Sequence, residues 1–231
     1  TETVVKKCQD CQPGKFDPFS GSTNSSACIN CQIGTYTEKP GYSICLGCPV
    51  GTYAASAGMS QCQPCERGKY STVVGTDSCQ LCTYGKYNNN TNSKKSTDCL
   101  NCPKGTFSLK QGLQFVTNCT SCHVGTYGLT EGAVQCTNCL PGKFNNLTRS
   151  IHIDDCIECE PGSYASSSSS PNCSKCPKGS YGYYKGAVQC SPCAAGFYSQ
   201  VIGAHYCKKC PAGKIQLAIG ASNAFDCKRC P

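Results

Sequence analysis

Tryptophan is absent from the 231 residues, and methionine occurs once. Leu, Ile, Val and Phe together supply 35 residues, about 15% of the chain. Below about 20% of such residues a chain cannot bury enough apolar surface to fold by that means alone. A globular enzyme built on one large core is therefore excluded. No apolar run approaches the roughly 20 residues a bilayer requires, so no membrane span is expected in this segment. Like charges never run to five or six together, the mark of a nucleic-acid tail. The basic residues are scattered, with Lys6, Lys7, Lys94, Lys95, Lys208, Lys209, Lys228 and Arg229 among the densest spots. The net charge of +8 reads as a solvated, mildly basic surface, and no nucleic-acid partner is expected. The stretch Thr1–Lys7 has neither the basic start nor the apolar stretch of a signal peptide.

Cysteine is what the chain has in excess. Its 26 cysteines pass the level of about 8–10% at which cysteine becomes the scaffold signal. So many thiols do not suit a reduced cytosolic protein. They form 13 Cys-x-x-Cys doublets spaced 17 or 20 residues apart, which leaves no length for any other domain. Residues 1–231 thus read as one continuous array of about 12 repeats, each touching mainly its neighbours. The chain stops at Cys230-Pro231, whereas Cys48-Pro49-Val50-Gly51 and Cys176-Pro177-Lys178-Gly179 open repeats. A segment of a longer chain is expected on that ground.

Within every repeat a glycine follows the second cysteine by three residues, from Gly14 to Gly213. Two residues later comes Tyr or Phe, with Ile215 the one exception. The glycine suits a turn with positive φ, and Lys69–Val74 suits a short strand after it. A second glycine precedes the next doublet by four in most short repeats, and Ser169 breaks that pattern. In long repeats it stands seven before, at Gly21, Gly112 and Gly220. The three extra residues should therefore lengthen a surface loop. The fold class that follows is small disulfide-rich repeats in an elongated, solenoid-like rod, with short β-strands and turns and almost no helix.

A bond inside one doublet would close a small strained loop, so each cysteine should pair elsewhere. The simplest rule joins the second cysteine of one doublet to the first of the next. It pairs Cys11 with Cys28, Cys31 with Cys45, Cys48 with Cys62, Cys65 with Cys79, Cys82 with Cys99, and Cys102 with Cys119. It continues through Cys122 with Cys136, Cys139 with Cys156, Cys159 with Cys173, Cys176 with Cys190, Cys193 with Cys207, and Cys210 with Cys227. Cys8 and Cys230 are then left for bonds to further repeats or to another chain. A rival rule pairs whole doublets two by two and strands one of the 13. Four-thiolate zinc sites fit the spacing but meet the same odd number. A thioredoxin-like redox role lacks its βαβ setting.

No metal and no cofactor is expected. His123, His152 and His205 fall at unrelated repeat positions, and the acids Asp154, Asp155, Glu158 and Glu160 lack calcium-loop spacing. No nucleophile, base and oxyanion set can be assembled, so no enzyme is expected. The aromatic row should cover the disulfides as a thin core more readily than it stacks on sugars.

Five Asn-x-Ser/Thr sequons stand at Asn24, Asn89, Asn118, Asn146 and Asn172. Asn24, Asn89 and Asn146 lie in loop interiors, where covalent N-glycans are expected. Asn118 and Asn172 have cysteine as the middle residue, which should lower their occupancy. The serine run 166–170 suits O-glycans or a flexible loop.

The pattern Cys-x-x-Cys-x-x-Gly-x-Tyr/Phe, closed by Gly-x-x-x-Cys-x-x-Cys, resembles the ephrin-receptor-like cysteine-rich repeat. It is also similar to the first module of tumour necrosis factor receptor repeats, which implies the bond Cys48–Cys62. The six-cysteine modules of those receptors and any kinase part are missing. Long uniform arrays of this kind resemble cysteine-rich surface proteins of single-celled eukaryotes. The resemblance implies an extracellular or cell-surface setting and protein–protein contact. The uniformity itself suggests a structural subunit of an extracellular glycosylated fibre, surface hair or coat. Its partners would be similar chains in a polymer, and glycans. The alternative is the ectodomain of a cell-surface receptor or adhesin, with contacts in 139–173 and 79–102.

Overall fold

A computed structural model describes residues 9–19 and 24–230. Among them there is no α-helix, and every strand is two residues long. The strands form twelve two-stranded antiparallel sheets, so the chain is a small disulfide-rich repeat array. Each sheet is one repeat closing on itself. Lys15–Phe16 pairs with Ile29–Asn30, and Thr126–Tyr127 with Thr137–Asn138. The residues just after the first glycine thus meet those inside the following doublet. The glycine carbonyl locks this hairpin: Gly14 accepts from the Cys31 N–H at 2.9 Å, and Gly162 from Cys176 at 2.9 Å. The strand expected over 69–74 is shorter, Lys69–Tyr70. Ser71 leaves its own hairpin because its N–H donates to the Ser93 carbonyl of the next repeat, and its Oγ donates to the Val73 carbonyl.

The chain falls into two compact units, residues 1–102 with 108–119 and residues 103–107 with 120–231. Inside each unit, neighbouring repeats are joined by the same three main-chain bonds. First, the N–H of the first glycine donates to the residue after the aromatic in the next repeat, as in Gly68 to Asn88 and Gly162 to Gly182. Second, that post-aromatic N–H donates one repeat further on, as in Ala54 to Thr76 and Ala165 to Ala187. Third, the second turn donates back to the preceding repeat, as in Gly58 to Cys31 and Gly186 to Cys159. Two-residue hairpins are not stable alone. Their unpaired edges are satisfied by the repeats on either side.

The interior is sulfur and small side chains. The second cysteine of nearly every doublet is buried, as are the post-aromatic residues Thr37, Ala54, Ser71, Asn88, Ser108, Asn145, Ala165 and Ser199. The aromatics after the first glycine are half-buried, apart from the buried Tyr127, and two of them lie against the next repeat's sulfur. Tyr87 packs on Leu113 and the Cys102–Cys119 bond, and Tyr127 on Cys139 and Cys156.

Ser169 does not break the second turn. Its φ of 59° places it in the left-handed region that glycine occupies elsewhere, and Asn92 (57°) and Arg149 (61°) do the same. The extra residues of the long repeats form 3-10 turns: Ser25–Ala27, Ser96–Asp98, Val116–Asn118, Ile153–Asp155 and Ala224–Asp226. Four of these turns cover the sulfur that follows them, whereas Cys28 after Ser25–Ala27 stays half-exposed. Cys99, Cys119, Cys156 and Cys227 are buried, whereas the corresponding cysteines of the short repeats are half-exposed.

Candidate functional site

The element that recurs through the molecule is the sulfur-bridged junction. Twelve disulfides join the second cysteine of one doublet to the first of the next, from Cys11–Cys28 to Cys210–Cys227. Their Cα–Cα distances are 5.5–5.8 Å, inside the ordinary range for the bond. Each encloses one hairpin, with a sequence separation of 14 or 17. Cys230 is exposed and unbonded. Cys8 and Gly21 lie outside the described residues.

The post-aromatic residue sits against the sulfur of its own repeat at Thr37, Gly128 and Gly182. A Cβ at Gly182 would come 3.3 Å from Cys176 Sγ and 3.1 Å from the Gly162 nitrogen. A large side chain has no room in this column, which the sequence reading did not single out. Its signal was present: the column holds Thr, Ala, Ser, Asn or Gly through the interior repeats.

Two long repeats carry a further device. Asn88 Nδ2 donates to Ser93 Oγ at 2.8 Å, and its Oδ1 accepts from the Asn90 N–H at 3.0 Å. Asn145 repeats this with Ser150 Oγ (2.8 Å) and the Leu147 N–H (2.9 Å). Both amides are buried. They pin the left-handed turns at Asn92 and Arg149, where the glycine is missing. Replacing Asn88 with Ala leaves buried polar partners without a bond, and a loss of about 1–3 kcal/mol is expected. Thermal unfolding of the unglycosylated, oxidised protein checks this, with Asn89→Gln as an exposed neighbour that should change little.

All five sequon asparagines are exposed. Asn89 and Asn146 directly follow the pinned Asn88 and Asn145, so their loops are held at the base and open outward. Asn24 Oδ1 caps the first 3-10 turn by accepting from the Ser26 N–H. Asn118 Oδ1 accepts from the Phe115 N–H at 3.0 Å. It takes the place that Asp98, Asp155 and Asp226 hold in other long repeats. The serine run 166–170 ends in structure: Ser170 is buried, and its Oγ donates to the Ser167 carbonyl at 2.8 Å.

Among the described residues no group of three His, Cys, Asp or Glu is arranged to hold a metal ion. The acids of 154–160 are engaged otherwise. Asp155 caps the Ile151 and His152 N–H groups. Glu158 lies 3.8 Å from Lys143, and Glu160 lies 2.9 Å from Lys185. The Lys185 pKa is raised by its hydrogen bond to Glu160 and by that carboxylate's charge. No helix is long and apolar enough to cross a membrane among the described residues. Of the exposed tyrosines, Tyr84 lies in the expected contact segment 79–102, and Tyr183, Tyr184 and Tyr206 lie outside both segments. Tyr183 and Tyr184 meet edge to face with centroids 4.8 Å apart, and Tyr206 borders two shallow clefts of about 330 and 230 Å³.

Five stretches of the chain, 19–58, 51–99, 112–156, 151–189 and 179–227, match the family model described as tyrosine-protein kinase ephrin type A/B receptor-like. Together they cover well over half of the sequence. No match was found among curated proteins. Repeats of this family stapled by twelve disulfides mark an extracellular or cell-surface protein.

Proposed function

The chain belongs to the ephrin-receptor-like cysteine-rich repeat family, and from that premise we propose that it is a structural subunit of an extracellular glycosylated fibre, surface hair or coat. The observation that carries this reading is uniformity. The same three main-chain bonds and the same sulfur bridge recur from repeat to repeat in both units among the described residues. Such a joint makes length by repetition, which is what a fibre needs. Cys8 and Cys230 are proposed to bond further repeats or a neighbouring chain. Electron microscopy of the native material tests the reading. Polymers with a regular repeat are expected, and single particles at high concentration would overturn it.

A glycan coat belongs to the same proposal. Asn24, Asn89 and Asn146 carry N-glycans, while Asn118 and Asn172 are occupied less. Both of the latter adjoin a disulfide-bonded cysteine. Once that cysteine is bridged, the local backbone is held fast. Intact-glycopeptide mapping of the native protein checks this, and full occupancy at Asn118 and Asn172 would contradict it.

The exposed Tyr183–Tyr184 pair and the clefts beside Tyr206 favour a second reading, the ectodomain of a receptor or adhesin. Under that reading the native material would be dispersed, with one copy per partner.

A further inference from the structure

Charge is unevenly placed in the unit of residues 103–107 and 120–231. Among the described doublets only the last two hold two cations each, Lys208–Lys209 and Lys228–Arg229. Both pairs are exposed. Lys214 stands directly opposite Arg229 across its sheet. Like charges in that register oppose folding rather than help it. None of the five makes an ion pair among the described residues. Asp226, the one acid in this stretch, is committed to capping Ser222 and Asn223. A local arrangement that weakens the fold without compensation points to a use outside it.

Apolar side chains adjoin one of these cations, Lys208. From two to four residues after the aromatic, the loop is exposed wherever the structure describes it. In repeats 139–156 and 159–173 it is mostly polar, with Asn146 and Ser166–Ser168. In the last three repeats the same positions hold Tyr183, Tyr184, Val201, Ile202, Leu217 and Ile219, with Tyr184 75% and Leu217 78% exposed. Val201, Tyr206 and Lys208 line one cleft, so the apolar and cationic surfaces meet there. No sequon lies beyond Asn172, so no N-glycan would shield this face.

The same unit holds a surface of opposite sign. Ile151, Ile153 and Ile157 are exposed, Ile153 at 58%. They alternate with Asp154, Glu158 and Glu160. The pairs Glu158–Lys143 and Glu160–Lys185 are solvent-exposed. Such pairs contribute little and exchange readily.

We propose that the basic apolar face of repeats 176–227 docks on the acidic apolar face around 151–160 of a second copy of this chain. Each side offers aliphatic anchors ringed by charges that the other complements, which sets both register and partner choice. Because the two faces differ, the contact is head-to-tail, and it propagates instead of closing on a dimer. The inference rests on the fibre reading and supplies its contact.

The test is sedimentation velocity at low and high salt on the full disulfide-bonded chain, with free thiols blocked. Wild type is expected to form concentration-dependent assemblies that shrink as salt rises. Lys208→Glu/Lys209→Glu and Glu158→Lys/Glu160→Lys should each be monomeric alone and should assemble again when mixed. If both variants assemble as wild type does, the faces are wrong while the fibre reading stands. A monomeric wild type whose binding to immobilised dextran sulfate is lost in Lys208→Glu/Lys209→Glu would overturn the proposal and give the basic face to an acidic polysaccharide. Single particles in native material, with the purified chain still assembling through these faces, would sink the fibre reading alone.

Discussion

Reduction of all twelve disulfides, with metal chelated, is expected to abolish the ordered structure at room temperature. Nothing else in the chain replaces them. The strands are two residues long, and apart from Leu113 and Tyr127 the buried side chains are those of Cys, Ala, Ser, Thr and Asn. Closing a loop of about 15 residues removes about 3 kcal/mol of unfolded-chain entropy by the loop model, and neighbouring loops do not add fully. Even a fraction of that across twelve bridges exceeds the 5–15 kcal/mol (order of magnitude) by which domains are ordinarily stable. Circular dichroism and limited proteolysis before and after reduction measure the effect; a protease-resistant reduced chain would sink it. The order of reduction is also set by burial. Limiting reductant followed by alkylation should label Cys45, Cys62, Cys79, Cys173, Cys190 and Cys207 before Cys99, Cys119, Cys156 and Cys227, because the 3-10 turns shield the latter.

Gly162→Ala should destabilise the oxidised protein far more than Gly75→Ala. Both glycines have nearly the same backbone, with φ of +82° and +78°. Both alanines would therefore carry left-handed strain of about 1–2 kcal/mol. Their surroundings differ. A Cβ on Gly162 would overlap the Gly203 carbonyl oxygen and lie 2.8 Å from its carbon, whereas at Gly75 nothing stands nearer than 3.9 Å. Gly203 cannot retreat without losing its bond to the Cys176 carbonyl, 2.7 Å long. An additional loss of about 2 kcal/mol or more is expected, in the range of overpacked sites. Thermal unfolding of the two variants side by side decides it, and equal shifts would show that the close approach carries no weight.

Much of the fold was legible because it is written once per repeat. The doublets, the first glycine and the aromatic recur at fixed spacing, so a two-residue hairpin such as Thr52–Tyr53 with Gln63–Pro64 follows from one period. The family resemblance read from that motif holds. The sequence reading placed sequons on loops, yet it passed over Asn88 and Asn145, which stand beside two of them. A buried amide looks like any other asparagine until its partner, five residues on, is seen to fold back against it. Ser169 interrupts the glycine pattern of the sequence without interrupting the turn. A serine can hold a left-handed turn when its N–H is fixed by the Cys139 carbonyl of the preceding repeat, and that bond is invisible along the chain.

The amino-acid sequence by itself determined the repeat, the reliance on sulfur and the extracellular class, because cysteine content and spacing are local properties. Only the tertiary structure decided how a repeat meets its neighbours. Gly14 approaches Gly58 and Gly142 approaches Gly186, two repeats away, and the post-aromatic column is squeezed between sulfur and glycine. These contacts arise because two-residue strands leave main-chain donors and acceptors that water or another repeat must satisfy. Which repeat does so depends on the angle at which hairpins stack, and no single period encodes that angle.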